Sequence, residues 1–375
     1  MLAVLHPVET ALTARRGCDS WNLHLDKLSF QRGEGADAAK ADALRRVVES
    51  WRDKSHVHLR DACERRVSWL DRLASQHGNR FCRVTLTGES RLLIHLGRAN
   101  VLENVGLYCD RTTGLPMIPG TALKGVLSTW AAWEANLTGE GGFNQGDALL
   151  RHRCQFNSLD AQCILGDDSI NGSNHSGLVA FVGGFPAEPS KLPRLEQDIV
   201  TPHPDNGRGR ILPNVFLSWA PDTVWHFVFF LRPGVGEGSA LLAQAERWLI
   251  EALTTTGIGA KTAAGYGRFR LPTADEKERI RQFGEERLAT SRKRQKDEEA
   301  HARRKQLPPE ERAYEEYLAN QKDWVAAARD VSVKPEEERQ WILRYFRSDA
   351  GQALLKTWTN DKGKKRIETL RKAGL

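Results

Sequence analysis

The chain has 375 residues, of which 40% are hydrophobic and 27% are charged, and 55 Lys and Arg residues against 48 Asp and Glu residues give a net charge of +7. This composition excludes an intrinsically disordered chain and allows one large domain or two ordinary ones. No membrane span or secretory signal peptide is expected, because long apolar runs are missing. The six cysteines are scattered and form no CxxC pair, which indicates a cytoplasmic protein with reduced thiols.

The first half of the chain alternates between helical and strand-like patterns. Apolar residues at helical spacing over residues 38–77 predict one long helix, or two helices broken near Lys54 and Ser55. Residues 81–97 alternate as a β-strand does. A helix is predicted from Ala122 to about Ala135 with Thr121 as its N-cap. The Gly-, Asn- and Asp-rich residues 137–176 are typical of a long surface insertion.

The second half completes a recognisable order of elements. A strand is predicted over residues 177–185, a protruding Pro-rich loop over 186–215, and a β-hairpin over 215–233 with its turn near residues 220–222. An amphipathic helix over 239–256, a glycine loop and a short strand follow. The core order of strand, helix, strand, strand, helix, strand is typical of a ferredoxin-like (RRM-like) α+β fold. This topology serves many functions and identifies none of them.

The composition changes beyond Pro272, and this change predicts the domain organisation. We expect a domain over residues 1–274, with a ferredoxin-like core at about 80–272 and an N-terminal helical segment at about 38–77. Residues 275–375 are expected to form a charged linker, either a solvated helix or a flexible chain up to residue 306, and then a small helical extension. These residues hold 25 Lys and Arg against 20 Asp and Glu, so most of the surplus charge lies outside the predicted core.

The most specific pattern is the glycine loop at residues 257–268, where two Gly-x-Gly pairs flank five residues that include a lysine and a hydroxyl group. Glycines let backbone N–H groups approach an anion, and two cations and a tyrosine ring could contact a phosphate and a base. Because a helix precedes the loop and a strand follows it, the pattern fits neither a P-loop nor a dinucleotide fingerprint. It is either a binding loop or a turn that serves close packing. The candidate binding residues are Gly257, Gly259, Lys261, Thr262, Gly265, Tyr266, Gly267 and Arg268.

A second pattern, IPGTALKG at residues 118–125, places Lys124 in the first turn of the predicted helix. The positive end of the helix dipole and the lysine could together hold a phosphate. A threonine N-cap needs no ligand, however, and lysines near helix starts are often simply solvated. Both interpretations stay open at this point.

Together these two segments resemble the RAMP proteins of CRISPR effector complexes, whose hallmark is such a glycine loop after the last helix of a ferredoxin-like fold. The segment IPGTALKGVL matches the helix start of the family. The stretches VLENVGLYCDRTTGLPMIPG, DIVTPH and FLSWAPDTVWHF are similar to the subunit-six class of the Cmr, or type III-B, complex. The resemblance covers roughly residues 20–272 and leaves residues 275–375 unexplained.

The resemblance implies a non-catalytic subunit of an antiviral ribonucleoprotein that lies near the 3′ end of the guide and caps a filament of related subunits. Those subunits would cleave the target. The implied partners are CRISPR guide RNA, single-stranded target RNA and other Cmr RAMP subunits, with no metal or cofactor and with mainly phosphate contacts. The Pro-rich loop would reach the guide–target duplex or a neighbouring subunit. Its basic residues are Lys191, Arg194, His203, Arg208 and Arg210.

Two other functions remain open on the sequence alone. Some RAMP relatives process guide RNA without metal, using histidine as a general acid or base, and His203 is the best candidate here, ahead of His95 and His226. The acidic residues Asp198 and Asp205 raise a metal-dependent variant of this activity. A protein-only assembly module, with glycines that serve packing, is the other possibility. The spacing of His152, Cys154, Cys163 and His175 matches no standard zinc site.

Overall fold

The computed structural model describes Trp21 and residues 36–52, 56–94, 107–137, 159–167, 175–200, 214–234 and 239–375. The chain divides into two compact units, Met1–Phe283 and Gly284–Leu375. The domain boundary that the composition predicts between residues 274 and 275 stays a prediction. No helix among the described residues is long and apolar enough to cross a membrane.

The first unit mixes helices and strands. Its helices are α1 (Ala36–Arg52), α2 (Val57–His77), α3 (Gly120–Leu137), α4 (Leu159–Leu165), α5 (Ser239–Thr255) and the start of α6 (Ala274–Gln306). Its strands are β1 (Phe81–Gly88), β2 (Ile118–Pro119), β3 (Gly166–Asp167), β4 (His175–Ser176), β5 (Val179–Pro186), β6 (Leu195–Val200), β7 (Asn214–Trp219), β8 (Val224–Leu231) and β9 (Phe269–Arg270).

The central sheet has the ferredoxin-like topology. Its strands lie in the order β2-β5-β8-β1-β9, and every neighbouring pair is antiparallel. When the short edge strand β2 is left out, the core strands in chain order are β1, β5, β8 and β9. Helix α3 lies between β1 and β5 in the chain, and α5 lies between β8 and β9. This is the split βαβ arrangement that the order of elements predicts. The α+β prediction is therefore confirmed. Of the two alternatives for residues 38–77, the structure has two helices, α1 and α2.

Helices cover the central sheet on both faces. Phe227 and Phe229 of β8 belong to the core on which α3 and α5 pack, whereas Val228 packs with Leu70 of α2 and Phe185 on the opposite face. Because successive side chains of a strand point to opposite faces, β8 must be apolar at almost every position. Its burial on both sides explains the run VWHFVFFL, in which His226 is the one polar residue.

The structure overturns the predicted hairpin and shortens the predicted strand over residues 81–97. Strands β7 and β8 belong to different sheets, since β7 pairs with β6 and β8 pairs with β1 and β5. Strand β1 ends at Gly88, because the N–H groups of Glu89 and Ser90 turn to the carbonyl oxygen of Arg268. The chain then makes an isolated bridge between Leu92 and Trp219.

Two predicted loops contain regular structure. The Pro-rich segment contributes β6, whose Leu195 is buried, and residues 187–189 are also buried. The predicted surface insertion contains α4, which buries Ala161 and Ile164. Both predictions relied on Pro, Gly and polar content and missed short apolar patterns whose burial depends on distant partners. Helix α3 begins at Gly120, so Thr121 lies in its first turn and is not the N-cap.

Helix α6 starts from a polar anchor on the edge of the sheet. The Glu276 carboxylate accepts hydrogen bonds from the Thr273 N–H and the Thr87 hydroxyl, while the Glu276 N–H donates to the Thr273 hydroxyl. This reciprocal pattern is a capping box. Arg270 adds bonds of 2.8 and 2.9 Å from its two terminal nitrogens to the same carboxylate. The pKa of Glu276 falls to about 2, chiefly because of the Arg270 hydrogen bonds.

Acid is expected to remove the stabilisation that Glu276 provides. Its folded pKa of about 2 lies below the ordinary value of 4.5, so the contribution is complete above about pH 4.5 and is lost as the pH falls towards 2. We therefore expect the difference in unfolding free energy between wild type and Glu276→Gln to shrink between pH 7 and pH 3. Urea unfolding at both pH values checks this, and a difference that stays constant or grows in acid would contradict it.

The second unit is a helical bundle. After the remainder of α6 it contains α7 (Pro309–Asn320), α8 (Trp324–Asp330), α9 (Glu336–Arg347), α10 (Asp349–Lys356) and α11 (Asp361–Lys372). Ala328, Ile342, Phe346 and Leu370 form the centre of its own apolar core. The helical extension and the helical alternative for residues 275–306 are confirmed.

Candidate nucleic-acid interface

The glycine loop connects α5 to β9. Its glycines at positions 257, 259, 265 and 267 have φ angles of +78°, +99°, +88° and +72°. Lys261 also adopts a left-handed conformation, with φ +59°. Residues other than glycine rarely take this conformation, so the loop is a specifically shaped segment.

The inner side of the loop is closely packed on the segment that follows β1. Ala260 N–H donates to the carbonyl oxygen of Leu93 at 2.8 Å, and Gly267 N–H donates to that of Arg91 at 2.7 Å. A Cβ atom at Gly259 would lie 2.0 Å from the Leu93 oxygen, and one at Gly267 would lie 2.0 Å from the Ile258 oxygen. Both positions therefore exclude a side chain, which supports a packing role for these glycines.

The outer side of the loop presents the cations. Lys261 is half-buried, and its Nζ lies 5.6 Å from the centre of the Phe216 ring. Arg268 is exposed, and its backbone N–H is fixed by the Ser90 hydroxyl at 2.9 Å. The backbone N–H groups of residues 257, 258, 260 and 264–268 already donate within the protein. These N–H groups are therefore not available to an anion, and the side chains of Lys261 and Arg268 are the cationic groups of the loop.

Tyr266 is held by a polar network. Its hydroxyl donates to Asp198 Oδ2 at 2.6 Å, and its ring centre lies 6.2 Å from that of Phe216. Burial and the Asp198 carboxylate raise the pKa of Tyr266 to about 12. Arg91 donates to Asp198 at 3.2 Å and to Glu196 at 3.4 Å, so both acids of β6 are partly neutralised. The network fixes the loop to β6.

The other predicted phosphate-binding segment lies on the far edge of the sheet. Lys124 is exposed on α3, which follows β2, whereas the glycine loop precedes β9. Because β2 and β9 are the two outer strands of the five, about 19 Å of sheet separates them. The structure therefore does not join the two segments into one site. Gly120 is required for close packing, since a Cβ there would lie 2.0 Å from the Phe181 carbonyl oxygen.

The predicted histidine and metal candidates fall into two groups. Several candidates, together with two basic residues of the Pro-rich loop, lie outside the described residues. They are His95, His152, Cys154, His203, Asp205, Arg208 and Arg210. His226 is buried, its Nδ1 lies 3.0 Å from the Thr85 hydroxyl, and burial lowers its pKa to about 3. A neutral, enclosed imidazole of this kind is a structural group. Within the described part of the chain, no three His, Cys, Asp or Glu side chains are grouped to hold a metal.

The family of the chain follows from its match to the model of the RAMP superfamily, which spans residues 55–270. This chain is a RAMP superfamily protein. The matched residues run from the break between α1 and α2 to the end of β9 and include both predicted phosphate-binding segments.

Individual RAMP relatives carry more specific names. The CRISPR system Cmr subunit Cmr6 of Pyrococcus furiosus is 27% identical over 226 residues, covering 48% of this chain and 65% of that protein. This RAMP chain thus spans slightly less than two thirds of that relative. A chain in the cryo-EM structure of the type III-B Cmr-beta bound to cognate target RNA is 17% identical, with a TM-score of 0.42, over 68% of this chain and 79% of that chain. The crystal structure of Pyrococcus furiosus Cmr6 is 23% identical, with a TM-score of 0.30, over 52% of this chain and all of that chain.

Sequence reasoning missed the partners that shape this RAMP loop. Arg91, Glu196 and Phe216 lie 41 or more residues from the loop in sequence, and only the sheet topology brings them to it. One signal was readable, since Thr-x-x-Glu at residues 273–276 has the spacing of a capping box.

Proposed function

We propose that this chain binds guide RNA as a non-catalytic subunit of a type III-B (Cmr) effector ribonucleoprotein in the cytoplasm. Its place would be at the end of the filament of RAMP subunits near the 3′ end of the guide, where it supports RNA-guided cleavage of target RNA by its neighbours. The RAMP assignment and the similarity to a Cmr6 subunit support the complex. Histidine catalysis receives no support from His226, which is buried and neutral.

The observation that carries the RNA assignment is the construction of the glycine loop. Backbone contacts to Arg91 and Leu93 fix its inner side, and its outer side displays Lys261 and Arg268. A rigid backbone that presents cations loses little conformational entropy when it binds a phosphate chain. Contacts of this kind position RNA without reading its sequence.

Charge reversal on the loop tests this assignment. The double variant Lys261→Glu and Arg268→Glu is expected to weaken binding of a short single-stranded RNA at least tenfold. The slope of log affinity against log salt should fall by about 1.4, since each phosphate contact on a single strand contributes about 0.7. Fluorescence anisotropy of a labelled RNA over a salt series measures both quantities.

A matched control separates the loop from net charge. Arg65 and Arg72 are exposed on α2 and lie outside the predicted interface, so Arg65→Glu with Arg72→Glu makes the same charge change elsewhere. This control should retain most of the affinity. Equal losses in both double variants would show that bulk charge, and not the loop, holds the RNA.

Lys124 is expected to act independently of the loop. Because α3 starts at the opposite edge of the sheet, Lys124→Glu should weaken RNA binding by a few-fold, and its effect should multiply with that of Lys261→Glu. The same anisotropy titration on both single variants and the double variant measures the coupling. If Lys124→Glu changes neither affinity nor salt slope, the helix start is not a phosphate site.

A further inference from the structure

A second cationic feature lies beside β6, in a cleft of about 290 Å³ within the first unit. Its basic walls are Arg52 at the end of α1, Arg60 in the first turns of α2, and Arg194 just before β6. Trp51, His56 and Leu192 contribute flat or apolar surface. The volume is close to the lower limit of pockets that hold small organic ligands.

Among the described residues that line the cleft, positive charge exceeds negative charge, and Glu196 is the one acidic residue. It lies 3.9 Å from Arg194, a long contact, and it also accepts a hydrogen bond from Arg91 at 3.4 Å. Arg52 and Arg60 are exposed. Guanidinium groups bind phosphate through paired N–H donors, so three of them around one cleft favour an anion with several oxygens.

The cleft also offers a flat surface. His56 has the left-handed φ of +51°, and this conformation lays its ring on Trp51, with ring centres 4.2 Å apart and planes tilted by 36°. The His56 ring is half-buried and lines the cleft, whereas Trp51 beneath it is buried. A nucleobase can stack on an aromatic or imidazole ring of this kind.

Strand β6 joins the cleft to the glycine loop. Arg194 and Glu196 line the cleft, and Asp198, two residues further along the same face of the strand, binds the Tyr266 hydroxyl at 2.6 Å. Arg91 bridges Glu196 and Asp198 with bonds of 3.4 and 3.2 Å. Two residues of a strand span only about 7 Å, so one strand of RNA can reach both places.

We propose that this cleft binds one nucleotide of the single-stranded RNA that crosses the glycine loop. Arg52, Arg60 and Arg194 hold its phosphate, and the base lies against His56. This inference rests on the proposed function and adds a second, separate contact to it. An acidic peptide could use the same arginines, but the flat ring surface and the short path to the loop favour RNA.

The test uses the full chain and a fluorescein-labelled single-stranded RNA of mixed sequence, followed by anisotropy across a salt series. The double variant Arg52→Gln and Arg60→Gln is expected to bind about tenfold more weakly, with a salt slope lower by about 0.7, because the cleft holds one phosphate. Both side chains are exposed, so the fold should persist, which circular dichroism checks. The double variant Arg65→Gln and Arg72→Gln removes the same two charges from exposed positions of α2 outside the cleft. It is the matched control and should bind as wild type does.

The outcomes separate this inference from the proposed function. If the Lys261 and Arg268 variant weakens RNA binding but the Arg52 and Arg60 variant binds as the Arg65 and Arg72 control does, the cleft is not a nucleotide site and the inference is overturned. If the wild-type protein binds no RNA, both the inference and the proposed function fail. Loss of poly-glutamate binding with unchanged RNA binding would also overturn the inference and assign the cleft to an acidic peptide.

A base-stacking readout adds independent evidence. His56→Ala should weaken binding of the RNA more than binding of an abasic oligonucleotide of the same length, because the abasic chain keeps the phosphates. Equal losses for both oligonucleotides would contradict stacking on His56.

Discussion

Replacing Gly267 with alanine is expected to lower the free energy of unfolding by about 3 kcal/mol. The new Cβ would lie 2.0 Å from the Ile258 carbonyl oxygen, and the residue would keep a φ of +72° that alanine disfavours. The backbone must therefore shift, which weakens the 2.9 Å bond from Ile258 N–H to the Gly267 oxygen. Urea unfolding followed by hydrogen exchange of residues 81–88 measures the change in the first unit.

Gly265→Ala is the matched control for this prediction. Its φ of +88° is similar, but no atom lies within 4 Å of the position of its Cβ. It should therefore lose only about 1 kcal/mol, the conformational cost of a left-handed alanine. If both variants lose the same amount, close packing against Ile258 is not the reason for glycine at position 267.

The second large effect is expected at the start of α6. Glu276→Gln should destabilise the first unit by about 2 kcal/mol, because the neutral amide loses the charge-assisted bonds from Arg270 and leaves that guanidinium without its closest counter-charge. Glu276 is 8% exposed, so water cannot replace these bonds fully. The same unfolding measurement at neutral pH checks the value.

Glu278 provides the comparison on the same helix. Its ion pair with Arg281 is exposed, so Glu278→Gln should leave the stability nearly unchanged. A loss in Glu278→Gln equal to that in Glu276→Gln would mean that helix charge, and not the anchor to Thr87 and Arg270, explains the effect.

The ferredoxin-like core could be predicted because its local patterns agree with its topology. Helix α5 is strongly amphipathic, and β8 is apolar at almost every position because it is buried on both faces. The order of these elements along the chain was enough to identify the βαββαβ arrangement. The strand predicted over residues 81–97 is too long, because the sequence does not show that the chain leaves the sheet after Gly88 to contact Arg268.

The second sheet could not be predicted for a physical reason. Residues 201–213 separate β6 from β7 in the sequence, and this connection is too long to give the short-loop signal of a hairpin. Prolines and charged residues near β6 favoured the prediction of a loop. The short sequence separation between β7 and β8 favoured the prediction of a hairpin. Long-range packing of α1 on β6 and β7 decides the pairing instead.

The candidate interface was predictable in part. The glycine loop stands out because its residue types are unusual at that spacing, and Lys261 and Arg268 lie on its outer side. Its contacts with Arg91, Leu93 and Asp198 come from sequence-distant segments and could not be foreseen. For the same reason the cleft of Arg52, Arg60 and Arg194 is invisible in the sequence, since three elements must meet to form it.

The central claim is that the glycine loop contacts guide RNA inside an assembled effector. Photo-crosslinking of that assembly, built with a guide RNA carrying 4-thiouridine at successive positions, tests it most directly when the crosslinked peptides are identified by mass spectrometry. We expect crosslinks to residues 257–268 from positions near the 3′ end of the guide, and their loss in the Lys261→Glu and Arg268→Glu variant. Crosslinks from the guide to other subunits alone, with none to this loop, would contradict the claim.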